Sequence, residues 1–145
     1  LFGVGGSLIF PVLAGRRSSW RGLGICTAAL AMVCYAGVLS LPSAWPVWTV
    51  VGGLGQGGAV ALSLALIAIR AIDSSAARPV SAMVQTVGYT IGAVGPVAIG
   101  ALSEASTGWS STLLILMGGC VALGISAIRA GAPGPIGLAH TGSAP

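Results

Sequence analysis

Lysine is absent from this sequence of 145 residues, and Asp73 and Glu104 are its only acids. Charged residues make up 6% of the chain, against roughly 25% in ordinary soluble domains. Eight charged side chains cannot cover a water-soluble globule of this length, which argues against a soluble protein. The six arginines leave a net charge of +4, too sparse for the clustered basic patches of a nucleic-acid partner. Cysteine is scarce too: Cys26, Cys34 and Cys120 each lie inside an apolar run, with no C-x-x-C spacing. That pattern gives no disulfide framework and no metal site, and leaves three small hydrophobes. The single histidine, His140, lies in a tail rich in Gly, Pro and Ala. No Ser/His/Asp, Cys/His or paired-carboxylate arrangement is present, so no catalytic activity, no cofactor and no metal are expected.

What is present in excess is apolar sequence, with a mean hydropathy of +1.00. Charges and turn residues cut it into blocks at about 1–15, 22–41, 47–69, 80–103 and 110–128. The last four each hold about twenty residues, roughly 30 Å as helix, which is the thickness of a bilayer's hydrocarbon core. None shows a sustained polar stripe at helical spacing, and helices apolar all round belong in lipid or in a very large core. The fold class expected is an all-α membrane protein, a bundle of about five transmembrane helices over 1–129, followed by a disordered cytoplasmic tail at 130–145. The first block is short and begins at Leu1, not Met. A helix starting partway through lipid would leave unpaired donors, so the first helix is expected to be truncated and the natural chain to begin earlier.

Arginine placement tests the span count. Arg16, Arg17 and Arg21 follow span one, Arg70 and Arg78 bracket the loop after span three, and Arg129 follows span five. If the spans alternate direction, all six arginines fall on one face. The positive-inside rule makes that face cytoplasmic and gives a multi-pass protein of the cell membrane with a cytoplasmic C-terminus.

Residues 53–58 read GLGQGG and fit G-x-G-x-x-G, with Asp73 twenty residues on. A dinucleotide fold needs a strand before these glycines and a second strand ending at the acid. Only one apolar helix-like run, AVALSLALIAI, intervenes. A membrane helix explains the same letters: Gly53, Gly57, Ala61 and Ala65 recur every four residues on one face, and Gly88, Gly92, Pro96 and Gly100 repeat the device. Small residues at this spacing let helices approach closely in lipid, where little hydrophobic drive exists. Such seams suit either sliding helices or static packing. Pro96, after Gly95, suits either a hinge or a fixed bend.

The ordered series Gly53, Gly55, Gln56 and Gly57, then Gln85, Gly88, Tyr89, Gly95, Pro96, Gly100, Gly108 and Trp109 resembles the cyanate/2-nitroimidazole transporter-like family of the major facilitator superfamily. The likeness runs from about the eighth helix to the twelfth. The loop PVLAGRRSSWR is similar to the superfamily's basic loop after the eighth helix, but Gly15 stands where an acid is common. The resemblance implies a twelve-helix secondary active transporter of two halves, with a small solute bound between them at the midplane and exposed to either side in turn. Its partners would then be the solute, the lipid bilayer and the missing N-terminal half.

Polar groups at membrane depth are few, so each is a candidate. Gln56 lies about ten residues into the third span. The resemblance makes that span cavity-lining and Gln56 a substrate contact for a small polar or anionic solute. The plainer alternative is a hydrogen bond between helices. Gln85 and Tyr89 are four apart on one helical face, and could form a polar cluster at the inner end of the cavity; an internal hydrogen bond and an aromatic belt position are the alternatives. Ser63 and Thr90 can satisfy themselves on their own backbone. Trp20, Trp45, Trp48 and Trp109 sit at span ends, the usual interfacial place. A reading of another class is a small integral membrane protein that packs or assembles and transports nothing.

Overall fold

The computed structural model describes residues 1–16, 20–70, 74–105 and 109–131. Arg17, Asp73, Gly108, His140 and the expected tail beyond 131 lie outside them. The described residues form five α-helices and no strand: α1 (Phe2–Arg16), α2 (Trp20–Ser40), α3 (Trp45–Arg70), α4 (Ser74–Ala105) and α5 (Trp109–Ala130). Residues 53–58 sit inside α3, so the strand–turn–helix that a nucleotide fingerprint requires is absent there.

Four of these helices are long and apolar enough to cross a membrane. In lipid each backbone N–H and C=O must find its partner within the segment, and an uncharged run can do that only as a helix. The 21 residues of α2 and 22 of α5 match the hydrocarbon thickness. The 26 of α3 and 32 of α4 exceed it, and excess length is taken up by tilt or by extension past the hydrocarbon. α1 has 15 residues and contains Pro11.

The α2–α3 connection is a tight turn. Leu41 leaves the helical region (φ −139°, ψ 73°), and Pro42–Ala44 form one turn of 3₁₀ helix. The Leu41 carbonyl accepts from the Ala44 N–H at 3.2 Å and from Trp48 Nε1 at 2.9 Å. Two donors on one carbonyl fix the start of α3 against the end of α2.

Contacts give the direction of each helix. Along α1 and α3, Gly3 meets Gly53 and Gly57, Gly6 meets Leu54 and Gly58, and Phe10 meets Gly58, so both numbers rise together and the helices are parallel. Along α2 and α3, Gly37 meets Trp48, Cys34 meets Gly52 and Leu30 meets Gly55, which is antiparallel. Along α2 and α5, Gly24 meets Ala127 and Ala28 meets Gly124, again antiparallel. α1, α3 and α5 therefore run one way and α2 the other, the alternation that successive crossings require. α3 is central, with α1 and α2 packed on it and α5 on α2. α4 touches α5 and α3 only lightly, and none of its membrane-length stretch is buried.

Glycine allows this proximity. A Cβ at Gly57 would overlap the Gly3 carbonyl and lie 2.9 Å from the Gly3 Cα. A Cβ at Gly55 would sit 2.9 Å from Leu30 Cβ and 3.1 Å from the Thr27 carbonyl oxygen. Mid-helix glycine costs roughly 0.5–1 kcal/mol against alanine, and two backbones in contact offset it. Buried apolar side chains are few, with Phe10, Ala14 and Leu62 forming a small cluster near the arginine end. Most large hydrophobes face outward, among them Leu8, Val60, Ile91, Val97 and Leu114. A water-soluble fold would bury such residues, whereas lipid accepts them.

Candidate functional site

The arginine end and the turn end of the bundle each carry a cavity. At the turn end an open-sided cleft of about 310 Å³ lies between α2 and α3, lined by Ala31, Cys34, Tyr35, Trp48, Thr49, Gly52, Gly53 and Gln56. Gln56 is exposed, lines this cleft and makes no side-chain hydrogen bond within the described residues. The Thr49 hydroxyl donates to the Pro46 carbonyl at 2.8 Å, which leaves its oxygen lone pairs free to accept. Tyr35 is half-buried and brings a phenol from the opposite helix. The lining carries no charge. The volume falls at the small end of ligand cavities.

A smaller cavity of about 120 Å³ lies toward the arginine end, where Thr27, Ser63 and Ser126 approach from three helices beside Trp20. Each hydroxyl gives its proton to its own helix: Thr27 to Gly24 at 2.8 Å, Ser63 to Ala59 at 2.7 Å and Ser126 to Ala122 at 2.8 Å.

The remaining sequence candidates lie elsewhere. Gln85 Nε2 donates to Ser81 Oγ at 3.0 Å on the outer surface of α4, and Tyr89 is 73% exposed on the same helix. Neither reaches the Gln56 cleft. Thr90 donates to the Thr86 carbonyl. Of the small residues, Gly53 and Gly57 lie against α1, whereas a Cβ at Gly88, Gly92, Gly95 or Gly100 would meet nothing within 4 Å. Pro96 is exposed within the unbroken run of α4. Among the described residues no group of three or more His, Cys, Asp and Glu is placed to hold a metal ion.

Sequence reasoning named Gln56 but passed over Tyr35 as a lining residue and gave Trp48 only an interfacial place. A signal for the cleft was present. Thr49, Gln56, Ser63 and Arg70 are the polar residues of α3 after its first turn and recur at intervals of seven. Seven residues return to nearly the same helix face, with a drift of about 20°; Thr49 and Gln56 line the turn-end cleft and Ser63 the smaller cavity. Tyr35 carries no such signal, since its place opposite Gln56 depends on how α2 packs.

No family model and no solved structure matches the chain. Named transport proteins do, among them the following three. An uncharacterized transporter of Bacillus subtilis (strain 168), YycB, is 30% identical over 127 residues, 86% of this chain. The 2-nitroimidazole transporter of Escherichia coli (strain K12) is 31% identical over 107 residues, 74% of this chain. The cyanate transport protein CynX of the same organism is 33% identical over 102 residues, 70% of this chain. The chain spans 32%, 27% and 26% of the length of these three relatives. Transporter relatives and four membrane-length helices make this a multi-pass membrane protein, and relatives of that kind point away from an enzyme. Across most of its length the chain is about 30% identical to these transporters, and it belongs to the cyanate/2-nitroimidazole transporter-like family of the major facilitator superfamily.

Proposed function

We propose that the chain supplies the eighth to twelfth helices of a twelve-helix secondary active transporter of the cytoplasmic membrane, with the arginine face in the cytoplasm. The transporter moves a small polar or anionic solute by alternating access, and the remaining helices, including the N-terminal half, complete the path. The observation that carries this reading is the Gln56 cleft. Gln56, whose amide has a carbonyl acceptor and two N–H donors and no hydrogen-bond partner among the described residues, lines an uncharged cavity at the small end of the range for ligand cavities. An amide can donate to an anion and accept from a ring N–H, which suits relatives named for cyanate and 2-nitroimidazole. Gln85 and Tyr89 lie on the uncovered face of α4 and are assigned to the solute path only where the other helices close over it.

The test is uptake by cells or vesicles carrying the complete gene product. Gln56→Leu keeps the side-chain bulk and removes both hydrogen-bonding functions, so uptake should fall about tenfold with membrane insertion unchanged. Uptake at the wild-type rate would remove Gln56 from the site.

A further inference from the structure

Trp48 is the fourth residue of α3, where an interfacial anchor would be unremarkable, yet its ring is held at two points and borders the Gln56 cleft. One hold is the hydrogen bond from Nε1 to the Leu41 carbonyl at 2.9 Å. The other is Gly37 of α2. A Cβ built there would lie 2.5 Å from Trp48 Cδ2 and 2.6 Å from both Cε2 and Cε3. Near-equal distances to a fused carbon and its two neighbours in the six-membered ring place that point over the ring face, not at its edge. The indole therefore lies flat on a glycine that leaves room for it. With one face against Gly37 and its N–H committed, the ring is held at two points, and Trp48 is one of the residues that line the cleft. A surface anchor needs no such immobilisation. A wall that meets a ligand benefits from it, because a fixed ring loses little entropy when a solute stacks on it.

We propose that Trp48 is a specificity-determining residue of this cleft, a rigid aromatic wall on which a small planar ring stacks while Gln56 holds its polar edge. The proposal rests on the cleft being the solute site. Offset stacking adds affinity beyond area burial, and a solute without a ring gains none of it. Trp48 thus favours planar rings over small linear solutes, whereas Gln56 serves both.

The experiment is equilibrium binding of labelled 2-nitroimidazole, a planar ring, and labelled cyanate, a linear anion, to the purified complete gene product. Trp48→Leu should weaken ring binding about tenfold and leave cyanate within about twofold. Trp48→Phe, which keeps a face, should hold ring binding to within about threefold of wild type. Gly37→Ala, which displaces the indole without removing it, should weaken ring binding severalfold. Gln56→Leu should weaken both probes. Ring binding unchanged in Trp48→Leu, with Gln56→Leu still impaired, overturns the wall and leaves the solute site standing. Equal loss of both probes in Trp48→Leu shows a merely structural ring and also overturns it. Wild-type binding unaltered in every variant, or wild-type protein that binds neither probe, overturns wall and site together.

Discussion

At the scale of single residues, glycines that look alike in sequence differ in what surrounds them. Gly57 faces a backbone that cannot move aside, whereas a Cβ at Gly124 would meet only Ala28 Cβ, at an ordinary 3.7 Å. Gly57→Ala should be less stable than Gly124→Ala by about 1–3 kcal/mol in detergent unfolding, since the helix-propensity gain is common to both and only the first overpacks. Equal midpoints would contradict the α1–α3 register. Thr112 gives a prediction of opposite sign. It is 1% exposed and its hydroxyl has no hydrogen-bond partner among the described residues. A buried hydroxyl left unpaired costs about 1–3 kcal/mol, and Val keeps the shape without it. Thr112→Val should therefore raise the unfolding midpoint, and a lowered midpoint would mean that the hydroxyl is serving something. Gln56 stands out in sequence as a candidate because an amide at membrane depth is rare on any helix. Tyr35 and Trp48 do not, because their role depends on α2 and α3 meeting at Gly37 and Gly52, and no local pattern encodes that meeting.

At the scale of elements, all five helices could be read from the spacing of charges and prolines, because lipid leaves an uncharged run of about twenty residues little choice of structure. The helices extend past the apolar blocks, with α4 beginning at Ser74 and not near 80. Hydropathy marks where lipid ends, but backbone hydrogen bonding continues into polar loops. Pairing was not legible: Gly88 and Gly92 resemble Gly53 and Gly57 in spacing, but only the latter pair has a partner among the described residues. The antiparallel α2–α5 pairing predicts that Ala28→Cys with Gly124→Cys, in a background without Cys26, Cys34 and Cys120, forms a disulfide under mild oxidation. The Cβ separation of 3.7 Å is close to the usual value of about 3.8 Å. Ala28→Cys with Leu114→Cys, nearly three turns away along α5, should not crosslink. A reversed preference would contradict the register.

At the scale of the whole molecule, contact directions make the ends of α1, α3 and α5 and the start of α2 one end of the bundle, with Gly131 against Arg21. Arg16, Arg21, Arg70 and Arg129 belong to that end by chain position. The turn at Pro42–Ala44 and the Gln56 cleft belong to the other. The sequence expectation that all six arginines share a face depended on counting spans correctly, and the register brings four of them, Arg16, Arg21, Arg70 and Arg129, to one end by an independent route. The most direct measurement is labelling of single cysteines by a membrane-impermeant maleimide in intact cells, with Ser43→Cys at the turn and Ala130→Cys at the end of α5. Label should reach position 43 from outside and position 130 only after the membrane is opened. Label at both positions from the same side, or a protein recovered folded in the aqueous fraction, would contradict the account.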